Sequence, residues 1–255
     1  MALVRYAVER AIATITLDSP ENRNALSRQL VSEFAEHLAS AAADGGVRAV
    51  VLTHTGRTFC AGADLKEQLA EGGPAEGTRQ LVTLLRTILE LPKPVVTRLD
   101  GHVRAGGLGL VGASDLALAS SAASFAFTEV RIGVAPAIIS LTTLGRLSER
   151  AASRYLLTGE TFDAATAAAL GLITEAVDSA EALDSVIGAV TDALRGTSPA
   201  GLAATKPLTT RRVLAAFDEQ ADSMQALSQR LFESDDAREG IAAFFEKRPP
   251  RWAVE

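Results

Sequence analysis

Lys93-Pro-Val-Val-Thr-Arg-Leu-Asp-Gly-His-Val-Arg-Ala-Gly-Gly-Leu-Gly109 is an apolar run that ends in a cluster of small residues. Within it, Val95–Leu99 is short, β-branched and bounded by Pro94 and Asp100-Gly101, which predicts a buried strand. Ala105–Gly109 predicts a glycine-rich turn whose backbone can approach a ligand closely. The same plan stands once upstream, where a strand at Ala49–Thr53 meets the loop Thr55-Gly-Arg-Thr-Phe-Cys-Ala-Gly-Ala-Asp64. Further towards the N-terminus, Leu3–Val8 and Ala11–Leu17 alternate around Glu9-Arg10 as a hairpin. Leu26, Leu30, Phe34 and Leu38 predict a helix that Gly45-Gly46 ends, and Leu81, Leu84, Leu85, Ile88 and Leu89 a second one stopped by Leu91-Pro-Lys-Pro94. Downstream, Leu116–Ala119, Ser124–Phe127 and Ile173–Val177 read as strands, and Asp163 as the N-cap of a helix that ends near Gly171. From Ala180 the strand signal stops, leaving helices broken near Pro199, Pro207 and Ser234-Asp235. Alternating β and α units followed by an all-helical tail predict an α/β core with a helical appendage.

The 255 residues are 47% hydrophobic, enough for a large core without disulfide or metal support. A net charge of −6 gives no electrostatic reason to bind nucleic acid or an anionic membrane. Cys60 is the single cysteine, so no intrachain disulfide is possible and a reducing compartment is expected. MALVRYAVER carries charge where a signal peptide needs an apolar core. Asp115, Glu129 and Arg131 cut the longest apolar stretches too short to span a bilayer, so the expectation is a cytoplasmic protein. His37, His54 and His102 have no metal-ligand spacing, and no G-x-S-x-G or P-loop is present. Cys60 reads as a small packed residue. Gly107-Leu-Gly109-Leu-Val-Gly112 matches the dinucleotide fingerprint literally, with Glu129 about twenty residues further on. However, Asp100 to Arg104 separate it from the strand, and two very short strands follow where a βαβ unit is required.

Four segments, in order, resemble the enoyl-CoA hydratase/isomerase (crotonase) superfamily. They are Asn22-Arg-Asn-Ala-Leu26, Phe59-Cys-Ala-Gly-Ala-Asp-Leu-Lys66, Lys93–Gly107 with Asp115, and Phe125-Ala-Phe-Thr-Glu-Val-Arg-Ile-Gly133. Glu239-Gly-Ile-Ala-Ala-Phe-Phe-Glu-Lys-Arg248 is similar to the family's last helix. The resemblance implies an α/β fold, a crotonase-like spiral of ββα units over residues 1–195. It also implies a C-terminal helical trimerisation domain over 196–255, assembling a homotrimer or hexamer.

The implied chemistry puts negative charge on a thioester oxygen, which preorganised backbone N–H groups stabilise without rearranging. On the family pattern the donors are the amides of Ala61 and Gly106, and Glu129 is the acid/base. The acyl-CoA substrate is then held by Arg23, Ala25, Ala61, Gly62, Ala63, Asp64, Lys66, Gly106, Gly109 and Lys247, with no cofactor beyond the substrate's own coenzyme A and no metal. Gly109 stands where many hydratases of the family carry a second glutamate. Glu129–Ser140 and Glu149–Tyr155 resemble a bacterial branch associated with methylglutaconyl-CoA-type hydratases of leucine and isoprenoid breakdown. Arg104 reads either as a contact for a distal substrate carboxylate or as a structurally paired arginine. Hydration of a 2-enoyl-CoA is the leading expectation. Double-bond isomerisation with Glu129 alone, or a non-catalytic acyl-CoA-binding homologue, are the alternatives.

Overall fold

The computed structural model describes residues 2–70 and 75–254. The chain opens with the hairpin β1 (Val4–Glu9) and β2 (Ile12–Leu17), paired antiparallel with Val4 opposite Leu17. Strands β3 (Ala49–His54), β5 (Val95–Leu99), β7 (Leu116–Ser120) and β10 (Glu175–Val177) extend it in parallel, giving the order β1-β2-β3-β5-β7-β10. A second sheet holds β4 (Thr58–Cys60), β6 (His102–Arg104), β8 (Ser124–Ala126) and β9 (Phe162–Asp163) in that order. β4, β6 and β8 run parallel, so the segments that follow them leave the same end of that sheet.

Helix α1 (Arg28–Ala43) starts at Ser27, whose hydroxyl accepts from the Leu30 N–H, and buries Leu30, Val31, Phe34 and Leu38. Leu26 lies outside it, in a parallel bridge with Ala63. The loop expected over Thr55–Asp64 contains β4, and a short helix α2 (Leu65–Ala70) follows. α3 (Ala75–Glu90) matches its apolar periodicity and ends before Pro92. The glycine-rich turn expected at Ala105–Gly109 is instead the start of α4 (Gly106–Ala113), every residue of which is buried. Its glycines allow α5 (Ala137–Thr143) to approach closely: a Cβ on Gly112 would lie 2.8 Å from the Thr142 carbonyl oxygen.

After α6 (Glu149–Thr158), the Asp163 side chain accepts from Thr166 N at 2.8 Å and caps α7 (Ala164–Ala169), as its sequence predicts. α8 (Ala180–Arg195) lies on the large sheet. Then α9 (Pro199–Phe232) and α10 (Asp235–Glu246) begin at the caps Ser198 and Ser234. Pro207 does not break the tail: it sits inside the 34-residue α9. The lost backbone hydrogen bond is outweighed by tertiary anchoring. Val213 and Phe217 are buried, and the buried Lys206 ammonium reaches Asp115 Oδ2 at 2.8 Å, Ile88 O at 2.8 Å and Lys93 O at 3.0 Å. Among the described residues no helix is long and apolar enough to cross a membrane.

Candidate active site

A cavity of about 410 Å³ opens beyond the ends of β4, β6 and β8. Ala61 and Ala63 reach it from β4, Ala105 and Gly106 from β6, and Thr128 and Glu129 from β8. Ligand sites favour this place, outside the carboxyl ends of parallel strands.

Gly106 is the first residue of α4, so its N–H precedes the intrahelical ladder. The Ala105 carbonyl accepts from Leu108 N at 2.8 Å. Because a trans peptide points its C=O and N–H in opposite directions, the Gly106 N–H is turned away from the helix. Ala105 sits at φ 46°, a strained value for a residue with a Cβ, and it aims this amide.

The loop after β4 does not leave the Ala61 amide available, as the family pattern implies it would. The Ala61 N–H is committed to the Arg23 carbonyl at 3.1 Å, although Ala61 itself lines the cavity. Two residues on, Leu26 N donates to the Gly62 carbonyl at 2.8 Å. Peptide planarity then turns the Ala63 N–H away from Leu26. Gly62 is the reason the two segments touch: at φ 92° its Cβ position lies 3.3 Å from Gly106 N and 2.6 Å from the Ala105 Cβ. In these two segments Ala63 and Gly106 therefore line the cavity with their N–H groups turned away from these backbone bonds, and Ala61 is a backbone tether.

Glu129 opens a 3-10 turn, Glu129–Ile132, closed by Gly133 at φ 77°. The turn is clamped by α10, since a Cβ on Gly133 would lie 2.5 Å from the Asp236 carbonyl group and one on Gly240 2.5 Å from that of Ile132. Glu129 Oε2 is buried without a hydrogen-bond partner, and burial pushes the carboxyl up to about 7. Such a group can take or give a proton near neutral pH. Burial also pushes the Cys60 thiol up to about 12, so it packs as a neutral side chain.

The other expected residues divide. Arg23 lines the cavity, whereas Ala25 is buried in the core behind its loop. Asp64 is not a cavity residue: Oδ1 accepts from Lys66 N and Glu67 N, capping α2, and Oδ2 accepts from Asn22 Nδ2 at 2.7 Å. Lys66 and Lys247 are exposed outside the cavity lining, and Lys247 is the left-handed cap of α10. Gly109 does not leave space beside the site, because a Cβ there would meet Ile139 Cγ2 at 2.8 Å. Arg104 lines the cavity and is structurally paired as well, donating to Val103 O, Ser124 O and Ser124 Oγ.

Several lining residues went unnoticed in the sequence. Thr78 and Gln80 come from α3, Ser228 and Phe232 from α9, and Phe244 from α10. Each sits in an ordinary amphipathic pattern, which carries no chemical signature. Gln80 Oε1 is, with Glu129 Oε2, a buried side-chain polar atom without a partner among the described residues. Among those residues no group of three or more His, Cys, Asp or Glu could hold a metal ion.

Residues 7–255 match the family described as enoyl-CoA hydratase/isomerase. A relative from Rhodobacter capsulatus named "Probable enoyl-CoA hydratase" is 34% identical, the match covering 98% of this chain and 97% of that one. The 1,2-epoxyphenylacetyl-CoA isomerase of Escherichia coli is 29% identical over 99% of this chain and 98% of its own. The crystal structure of an enoyl-CoA hydratase from Mycobacterium avium is 52% identical and superposes with a TM-score of 0.91, covering 99% of this chain and 100% of that one. The chain belongs to the enoyl-CoA hydratase/isomerase family of acyl-CoA-processing enzymes and has the crotonase fold.

Proposed function

We propose that this enzyme moves a proton on an enoyl-CoA thioester through an enolate, shifting the double bond between the 3,4 and 2,3 positions. The observation that carries the reading is the setting of Glu129. The Glu129 carboxyl, raised to about 7 by burial, shares a cavity with the Ala63 and Gly106 amides, the Gly109 side is closed by Ile139, and the other lining carboxylate, Glu67, accepts from the Arg28 N–H at 2.9 Å. In this reading the thioester oxygen lies between the two N–H groups. The Glu129 carboxylate removes the proton from C2, and the electron pair moves onto that oxygen. The resulting carboxylic acid returns the proton to C4 as the enolate collapses to the conjugated thioester. One base serves both transfers, and no water enters the product. Arg23 at the cavity and the exposed Lys66 are the cations offered to the nucleotide phosphates. Coenzyme A, as part of the substrate, is the only cofactor the reaction uses.

Hydration of a 2-enoyl-CoA is the second reading, favoured by the names of the Rhodobacter capsulatus and Mycobacterium avium proteins. It needs a group other than a carboxylate at position 109 to hold the water. A panel of 2- and 3-enoyl-CoAs, including 3-methylglutaconyl-CoA, followed by mass spectrometry separates the two. Isomerisation leaves the substrate mass unchanged. Rapid gain of one water by any 2-enoyl-CoA would replace the first reading with the second.

A further inference from the structure

Asn22 and Asp64 are 42 positions apart, yet Asn22 Nδ2 donates to Asp64 Oδ2 at 2.7 Å. The other carboxylate oxygen accepts from Lys66 N at 3.1 Å and Glu67 N at 3.2 Å, so one side chain ties a loop, a strand end and a helix start together. Between these partners lies Ala63. Its flanking residues are also pinned to Leu26, the Gly62 carbonyl at 2.8 Å and the Asp64 N–H at 3.5 Å. The loop that supplies Asn22 is itself over-determined. Arg23 and Asn24 are both left-handed, at φ 53° and 51°. The fully buried Asn24 side chain accepts from Ser19 N at 2.7 Å and donates to Thr55 O and Thr58 O. Strained backbone held by this many bonds belongs where a position must be exact to a fraction of an ångström.

We propose that Asp64 and Asn22 form a positioning pair that aims the Ala63 amide at the thioester oxygen. The proposal deepens the enolate reading above and rests on it. Neither side chain lines the cavity. Within Gly62–Ala63–Asp64 only Asp64 carries a side chain that can hydrogen-bond, and Ala63 lines the cavity. With Asp64 released, that segment pivots about the Leu26 bridge, and the Ala63 N–H loses its direction while Gly106, fixed by α4, keeps its own. A donor that is misaimed before the reaction stabilises the enolate less than the bound ground state.

The test uses butyryl-CoA labelled with ¹³C at the carbonyl, a saturated thioester that binds without turning over. Two readouts are taken on it: the infrared carbonyl stretch of the bound ligand and the rate of α-proton exchange in D₂O. In the wild type the stretch should fall to lower frequency on binding, and α-protons should exchange. Asn22→Ala keeps the α2 cap and removes only the tether. It should bind butyryl-CoA within about threefold of wild type, shrink the infrared shift and slow exchange on the order of 10- to 100-fold. Asp64→Ala should do the same with an added loss of thermal stability. The exchanged pair Asn22→Asp with Asp64→Asn keeps both bonds, the amide now on the other side, and should restore shift and exchange together. Full-size shift and exchange in folded Asn22→Ala and Asp64→Ala would overturn the positioning role alone. A wild type that binds butyryl-CoA with no shift and no exchange would overturn the enolate reading, and this proposal with it.

Discussion

Ile139 occupies the space that a side chain at Gly109 would need: its Cγ2 lies 2.8 Å from the position of a Gly109 Cβ, with Leu85 Cδ1 at 3.3 Å. Gly109 is helical, with no positive φ, so packing rather than backbone conformation demands glycine here. The place that could hold a water-orienting carboxylate is filled with hydrocarbon.

Gly109→Glu should therefore be destabilised by roughly 1–3 kcal/mol from overpacking, more if the carboxylate stays buried. Pairing it with Ile139→Ala makes room, and the double variant should melt above the single one. If the carboxylate then faces Glu129, hydration of crotonyl-CoA should rise above the wild-type rate. A single variant with wild-type stability and fast hydration would show that Ile139 does not close this wall.

The tail is fastened by a buried ion pair, and removing one partner strands the other. Lys206→Met preserves much of the volume but leaves Asp115 buried without its cation, although Val95 N still donates to it at 2.7 Å. The expected loss is about 3–5 kcal/mol by urea denaturation. Asp115→Asn with Lys206→Met should recover part of it. A loss below about 1 kcal/mol in the single variant would mean that α9 is held by its apolar face alone.

Much of the fold is legible because its signals are local. Periodicity marks α1 and α3, Asp163 marks the start of α7, and the breaks read near Pro199 and Ser234-Asp235 fall where α9 and α10 begin. The failures are non-local. Pro207 reads as a break, but the Lys206 anchor and the burial of Val213 and Phe217 override it. Glycines make Ala105–Gly109 read as a turn, yet close contact with α5 stabilises helix there. The motifs single out Glu129 and Gly106, and the structure brings both to one cavity. Which of the Ala61 and Ala63 amides is left available is not legible there, since it depends on the carbonyl of Arg23 and the N–H of Leu26, brought from a segment more than thirty residues away.

We propose that the helical tail assembles a trimer or a dimer of trimers. Phe244 and Phe245 are 51% and 40% exposed, and Leu157 and Leu208 about three-quarters exposed. Apolar side chains this large and this open favour burial between copies. Light scattering at micromolar concentration should give three or six times the chain mass. Phe245→Asp together with Leu208→Asp should lower it. A wild-type monomer at all concentrations would remove the proposal.

Glu129 should leave a mark on both rate and stability across the same pH range. Its carboxyl lies at about 7 in the folded protein because burial removes water from the charged form, against about 4.5 for an ordinary glutamate. The basic form starts the reaction, so kcat/KM should rise with pH up to about 7 and then level off. Stability should move the other way. A carboxyl raised by folding favours the native state while it is protonated. That contribution is whole below about 4.5 and is lost as pH climbs through about 7. Because Glu129 is partly accessible through the cavity, the loss is put at roughly 1–3 kcal/mol. Glu129→Gln has no such titration. It should cut turnover by roughly 10²–10⁴-fold while melting higher than the wild type at pH 8 and about level with it at pH 5. Denaturation curves at the two pH values, read beside α-proton exchange rates, check both halves. Equal stability differences at pH 5 and 8 would mean that the carboxyl is hydrated and ordinary, and wild-type exchange in the folded variant would take the proton-transfer role away from Glu129.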